Sequence, residues 1–382
     1  MENSPPVELL KTPIHAWHLK NGAKLADFGG WEMPIEYGGY QDINGDKGGV
    51  LAEHLVVRNK VGLFGVSHLG KIEVHGDLAL DFLNSQFTND LQKLSDGQAQ
   101  YNLLCNEQAG VIDDLIVYRR SHDDFLLIPN AANCTEVFNI LNKNSQQLKI
   151  SNAHTKYAVF ALQGASSVQV LQLLGVKTNL EYMSFTNITL PKHPDLGEIT
   201  LCRTGYTGEF GYEFLPKWES AQEFWEILNA AVFELGGRVC GLGARDTLRT
   251  EMGYSLHGHE LSPSITPLQA SSGWAVALSK GDFLGSAALI AERRDGSTRT
   301  LRGLKILDRG IPRSGMIVQS QDGAPCGEIT SGTFSPTLKH GIALALLDPS
   351  IKIGSNVTVD IRGKQSQAEV VKPPFVSSKV HQ

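Results

Sequence analysis

The chain has 382 residues, 41% of them hydrophobic and 19% charged, with a formal net charge of −6. At roughly 100 to 200 residues per domain it holds two or three domains, enough to bury a large core. The acidic balance and the lack of a long basic run disfavour a nucleic-acid binder, and no stretch of about 18 apolar residues exists to cross a membrane.

The opening residues, MENSPPVELLKTP, carry two acids and no apolar core. They read as neither a signal peptide nor an Arg-rich transit peptide, so a cytoplasmic setting is expected. A Gly- and Asp-rich stretch, GGYQDINGDKGG (38–49), reads as a surface loop. KIEVH (71–75) alternates as a strand, and DLALDFLNSQF (77–87) has helical periodicity with Leu78, Phe82 and Leu83 on one face. AQYNLLC and VIDDLIVYR flank NEQAG (106–110), a hairpin with a turn of five or six residues. DFLLIPNAAN (124–133) supplies a strand, followed by a helix through Val137, Ile140 and Leu141. YAVFALQG (157–164) is strand-like and SVQVLQLLG (167–175) helical.

EITLCR (198–203) and YEFLP (212–216) form a second hairpin around a glycine-punctuated loop. The span 218–237 is the clearest amphipathic helix, with a stripe of Phe224, Ile227, Leu228 and Val232 and Gly236 at its end. GLGARDTLRTEMG (241–253) reads as a helix between glycines. Beyond about residue 285, short strands recur between turn residues, which predicts a separate all-β barrel or sandwich. The expected division is therefore 1–285 and 286–382, with ERRDGST (292–298) as linker. The basic residues Arg293, Arg294, Arg299, Arg302 and Lys305 read as a solvated surface around that linker. Five cysteines, with no C-x-x-C among them, argue for reduced thiols and against a zinc ribbon. Cys105, Cys134 and Cys202 lie in apolar surroundings that suit core packing.

Three constellations carry chemistry. In VIDDLIVYR, side chains alternate, so Asp114 shares a face with Ile112, Ile116 and Tyr118, and Asp113 with Val111, Leu115 and Val117. A carboxylate on an apolar face needs a partner or a ligand. Tyr101 falls nearly opposite Asp114 if the turn centres on Gln108; one aspartate can escape to solvent near the turn, and the other faces an apolar wall or a cavity. The alternative, that both aspartates are turn formers, stays open on pattern alone. In RTGYTGEFGYEF (203–214) the glycines are three apart, but Glu209 and Glu213 would repel phosphate; they suit a ligand offering parallel N–H donors. Exposed glutamates on a glycine-rich hairpin are the plain alternative. Arg245 and Arg249, four apart on one helix face, need an acidic partner or a bound anion. HGHE (257–260) has no further ligands at suitable spacing, so no metal is expected.

These motifs, with KTPIHAWHLKNGAKLADFGGWEMPIEY, TPLQASSGW, TSGTFSPTLKHGIALA and the terminal KPPF, resemble the glycine cleavage T-protein family over nearly the whole chain. The resemblance implies an α+β multidomain fold. Two interleaved α+β domains and a C-terminal β-barrel of jelly-roll type would surround a folate cavity as a clover leaf. It implies an aminomethyltransferase that moves the aminomethyl carbon from the lipoyl arm of H-protein to tetrahydrofolate. The products would be 5,10-methylenetetrahydrofolate, ammonia and dihydrolipoyl H-protein. By motif match Asp114 is the catalytic carboxylate, which leaves Asp113 structural, facing the turn or solvent. Tyr101, Tyr118, Asn130, Glu209, Arg245 and Trp274 match folate-binding positions, Glu209 as the carboxylate on the pterin ring. The chain departs from the family pattern at Gly65, Leu69, Ala109, Gln269 and Ser271. Another tetrahydrofolate-dependent transferase or demethylase on the same fold is the alternative. An iron–sulfur assembly relative is disfavoured, because RTGYTGE lacks that branch's Lys and Cys.

Overall fold

The computed structural model describes residues 8–145 and 147–381. The first seven residues of the opening stretch lie outside the described ones. No described helix is long and apolar enough to cross a membrane.

Two sheets interleave in the chain before the barrel. One has six strands in the order Phe185–Ile188, Ile199–Cys202, Gly211–Leu215, Phe160–Gln163, Gly62–Gly65 and Arg238–Val239. The other has five, ordered Gln98–Cys105, Val111–Ser121, Asp124–Ile128, Ile72–His75 and Lys149–Asn152. The whole five-stranded sheet is inserted between two neighbouring strands of the first, Gly62–Gly65 and Phe160–Gln163. Six more strands, from Thr300–Ile306 to Lys364–Val371, close into a barrel, which leaves no open edge. The α+β regions and the C-terminal barrel are thus as expected.

Alternating apolar residues explain the layers. The helix Ala221–Glu234 lays Phe224, Leu228 and Val232 on the six-stranded sheet, all fully buried. Its Trp225 meets Phe160 edge-on at 5.0 Å. Full burial of such side chains contributes about 1.5–3 kcal/mol each. The helix Cys134–Asn144 does the same for the other sheet through Val137 and Leu141. Cys105, Cys134 and Cys202 are buried, as their surroundings suggest.

Two local expectations need correction. Leu78 precedes the helix Ala79–Gln86 rather than joining its buried face, and is 55% exposed. The segment taken as a linker is helical as far as Asp295, in the helix Ser286–Asp295, and Leu289 of that helix packs with Ala109, Val276 and Phe283. Loop 38–49 lies on the surface as expected, and it is tethered: Arg238 donates to Asp42 at 2.6 Å, and a Gln41–Lys47 bridge closes the loop on itself.

The hairpin register decides the site. An even turn centred on Gln108 would set Tyr101 opposite Leu115, on the Asp113 face. Instead Ile112 is an extra residue, because Leu104 pairs Asp113 while Cys105 pairs Val111. This bulge moves the register by one. Tyr101 now lies opposite Ile116, and Leu103 opposite Asp114. Tyr101 and Asp114 are therefore diagonal neighbours on one face rather than a direct pair.

Candidate active site

A cavity of about 1100 Å³ opens where the two sheets, the helix Leu242–Met252 and the barrel meet. Its walls are largely apolar, with Leu69, Ile116, Ile128 and Leu215 among them. Of the expected residues, Tyr101, Asp114, Tyr118, Asn130, Arg245 and Trp274 line it.

The bulged strand separates the two aspartates. Asp113 is fully buried and does not face solvent as expected. Its carboxylate accepts from the Asn130 backbone N–H at 3.0 Å, Asn130 Nδ2 at 2.9 Å and Asn133 Nδ2 at 2.7 Å. The reason is the strand's second apolar face, which packs inside and leaves no route to water. Asp114 is half-buried at the cavity wall. Tyr101 donates its hydroxyl to Asp114 Oδ2 at 3.0 Å, and Asn130 Nδ2 donates to Oδ1 at 2.9 Å. Burial raises both carboxyls, Asp113 well above the ordinary range with the neighbouring Asp114 charge adding to it. Tyr101, the His257 ring and Asn130 hold Asp114 back. Two carboxyls this close lose their protons as a pair.

Around this centre the aromatic residues form a rim. Trp274, 70% exposed, stacks on Tyr101 with ring centroids 5.2 Å apart. The Tyr118 hydroxyl meets Thr204 Oγ1 at 3.3 Å, and Thr204 in turn donates to Glu213. Arg245 lies 4.7 Å over the Tyr206 ring, and its buried Nη1 has no hydrogen-bond partner among the described residues. Burial lowers its pKa, opposed by the Glu213 charge and Tyr206. Arg249 behaves differently: it is answered within the protein by Asp246 at 2.7 Å and Glu260 at 2.9 Å.

Glu209 is not at the cavity. It is 3% exposed and paired with Arg58 at 3.0 Å and Lys379 at 3.3 Å. Gly208, with φ +76°, turns the loop so tightly against the helix that a Cβ there would sit 2.2 Å from Met252 Sδ. Beyond this turn the Glu209 side chain falls on the Arg58 side. Glu213 takes the cavity position instead. Its signal was present in the sequence. Within Gly211–Leu215 it is the one residue not buried, a carboxylate in an apolar strand as Asp114 is. His257 was missed because HGHE was weighed only for a metal. Its Nε2 bonds the Val111 carbonyl at 3.1 Å, and its ring lines the cavity. His259 is tied to the Thr330 carbonyl at 2.8 Å, and Glu260 to Arg249. Arg302, read as part of a solvated surface, also lines the cavity.

Residues 14–280 match the GCVT N-terminal domain, and residues 299–377 the glycine cleavage T-protein C-terminal barrel domain. The chain belongs to the glycine cleavage T-protein family.

It is 52% identical over 372 residues to an aminomethyltransferase of Parafrankia sp., covering 97% of this chain and 99% of that one. An aminomethyltransferase of Mycobacterium tuberculosis is 49% identical over 375 residues, covering 97% and 98%. The crystal structure of the glycine cleavage system aminomethyltransferase T from Bartonella henselae superposes with a TM-score of 0.88. It is 32% identical and covers 98% of this chain and all of that one. Two of the departures from the family pattern sit where the backbone is left-handed: Ala109 at φ +65° and Ser271 at φ +57°. Gly65 is packed so closely that a Cβ would lie 2.8 Å from Ile14 Cδ1. Gln269 accepts from Arg299 at 2.8 Å. Leu69 and Ser271 line the cavity.

Proposed function

We infer that the chain is the aminomethyltransferase of a glycine cleavage system. It moves the aminomethyl carbon from the lipoyl arm of an H-protein to tetrahydrofolate, giving 5,10-methylenetetrahydrofolate, ammonia and dihydrolipoyl H-protein. The observation that carries this is Asp114, a carboxylate fixed by Tyr101 and Asn130 on the wall of a large apolar cavity.

The residues suit a reduced folate as co-substrate. Glu213 offers a carboxylate to the parallel N–H donors of an amino-pyrimidinone ring. Arg245 offers a buried N–H that no described residue answers, a costly state unless a ligand completes it. Tyr101, Tyr118 and Trp274 give flat apolar faces for an aromatic ligand. Glu209 has no part in this contact. Asp114 stabilises the positive charge that develops as the folate nitrogen captures the aminomethyl carbon. Its two donors hold it in place beforehand, so no reorganisation is needed during the reaction. The apolar walls strengthen that field relative to water. An H-protein presenting the lipoyl arm is the macromolecular partner; neither nucleic acid nor a membrane is part of this function. A cytoplasmic setting belongs to the same inference, supported by five cysteines that stay unpaired. The deciding experiment measures methylenetetrahydrofolate formed from aminomethyl-loaded H-protein. Steady turnover is expected, and none with a competent H-protein would sink the assignment.

A further inference from the structure

We propose that His257 is a catalytic residue of this cavity, the group that carries a proton to the departing amine. The inference rests on the aminomethyl-transfer function proposed above.

His257 sits in the loop after the helix Leu242–Met252 and lines the cavity that Asp114 lines. Its Nε2 faces the Val111 carbonyl at 3.1 Å. A carbonyl only accepts, so Nε2 carries a hydrogen in every protonation state. The exchangeable site is therefore Nδ1, which has no hydrogen bond to any described residue. Val111 lies on the same strand as Asp114, three residues before it, so one strand positions both groups. The imidazole is close enough to lower the Asp114 carboxyl.

The remaining cavity groups leave this task open. Both Asp114 oxygens already accept hydrogen bonds, one from Tyr101 and one from Asn130. That arrangement suits a fixed charge and hinders a group that must take up and release a proton in each turnover. Tyr101 and Tyr206 are pushed to higher pKa by burial, with Asp114 adding to both, so they stay protonated. Asp113 is engaged by Asn130 and Asn133. His68, also on the wall, is held neutral by burial and by the Arg245 and Lys71 charges. The third wall histidine, His259, is anchored to Thr330 of the barrel. Among the three, His257 is the one whose ring is hydrogen-bonded to the strand that carries Asp114.

The step balances without another reactant. A folate N–H nitrogen bonds to the aminomethyl carbon, and the C–N bond to the amino group breaks. The electron pair of the broken bond stays on the amino nitrogen. That nitrogen takes the proton from His257 Nδ1 and leaves as ammonia, while the carbon stays on the lipoyl sulfur; the second folate nitrogen then displaces the sulfur as thiolate, which takes up the proton that this nitrogen sheds. The hydrogen shed by the first folate nitrogen, now positively charged, returns Nδ1 to its protonated form. Asp114 stays charged throughout.

His257→Gln keeps an N–H to offer Val111 but cannot carry the proton. With aminomethyl-H-protein and tetrahydrofolate, kcat should fall by roughly 100-fold, within the usual range for losing a general acid. KM for folate and the thermal midpoint should stay at their wild-type values. His257→Ala should lose a similar factor, and added imidazole should restore turnover in proportion to its concentration, which a merely structural residue would not allow. Wild-type kcat in H257Q, or no imidazole rescue of a folded H257A, overturns the proposal while wild-type turnover in the same assay keeps the assigned reaction standing. Absence of wild-type turnover sinks that reaction and this proposal with it.

Discussion

The helix Leu242–Met252 contributes to two groups of buried charge that end differently. On the Arg58 side every donor is answered. The five Arg58 N–H groups reach Glu251, Glu209 and the carbonyls of Thr207 and Leu248. Glu251 also accepts from Ser335 and Thr337 beside the barrel, and His54 lies 3.3 Å away. On the cavity side the set is incomplete: Arg245 keeps an unanswered buried N–H, and Glu213 is held through Thr204. Charges completed by the protein hold its regions together, whereas charges left incomplete are free to select a ligand. Both sets are built from the same residue types, so residue type alone does not distinguish them.

The largest effect should come from breaking the completed set. Arg58→Ala takes the buried guanidinium from both Glu209 and Glu251, leaving Glu209 with Lys379 alone and Glu251 with His54. Removing one partner of a buried pair costs about 3–5 kcal/mol, to be read as a shift of the urea unfolding curve; an unshifted curve would deny the network its structural role. Glu251 adds a pH signature. Its partners, His54 and Arg58 foremost, depress its pKa from 4.5 to about 2 against the opposing effect of burial. A depressed carboxyl contributes stability that is fully present above 4.5 and is lost as pH falls through about 2. The wild type should therefore lose stability relative to Glu251→Gln across that window, and parallel pH curves for the two proteins would contradict it.

Next comes the cavity's fixed charge. Asp114→Asn keeps the shape of the side chain and removes its charge. Turnover should fall by about 10³-fold, with the unfolding curve unchanged or moved to higher stability, since burial already raises that carboxyl. Near wild-type kcat would remove Asp114 from the chemistry.

Much of this was legible in the sequence, and the misses share a physical cause. Periodicity placed the helix Ala221–Glu234, both hairpins and the barrel, because those patterns depend on neighbours a few residues apart. It also singled out Asp114, since an apolar strand leaves little else to explain a carboxylate. Side-chain direction in irregular backbone was not legible. Glu209 follows a left-handed glycine, so strand alternation does not apply to it. Asp113 looked solvent-bound because its partners Asn130 and Asn133 lie on another segment. The bulge at Ile112, which turns Tyr101 toward Asp114, is one extra residue that leaves no mark in the hydrophobic pattern.

Glu209 and Glu213 lie four residues apart and provide the smallest and sharpest test. If completeness decides the role of a charge, Glu213→Gln should weaken tetrahydrofolate binding and Glu209→Gln should not. Losing a charge-assisted hydrogen bond costs about 1.5–3 kcal/mol, so Kd for Glu213→Gln should rise by roughly 10- to 100-fold by calorimetry. Glu209→Gln should leave Kd at its wild-type value and lower stability instead, because its contacts are with Arg58 and Lys379. The reverse result would place Glu209 on the pterin after all. It would require the loop at Gly208 to open away from Met252, whose sulfur leaves no room even for a methyl group at that turn.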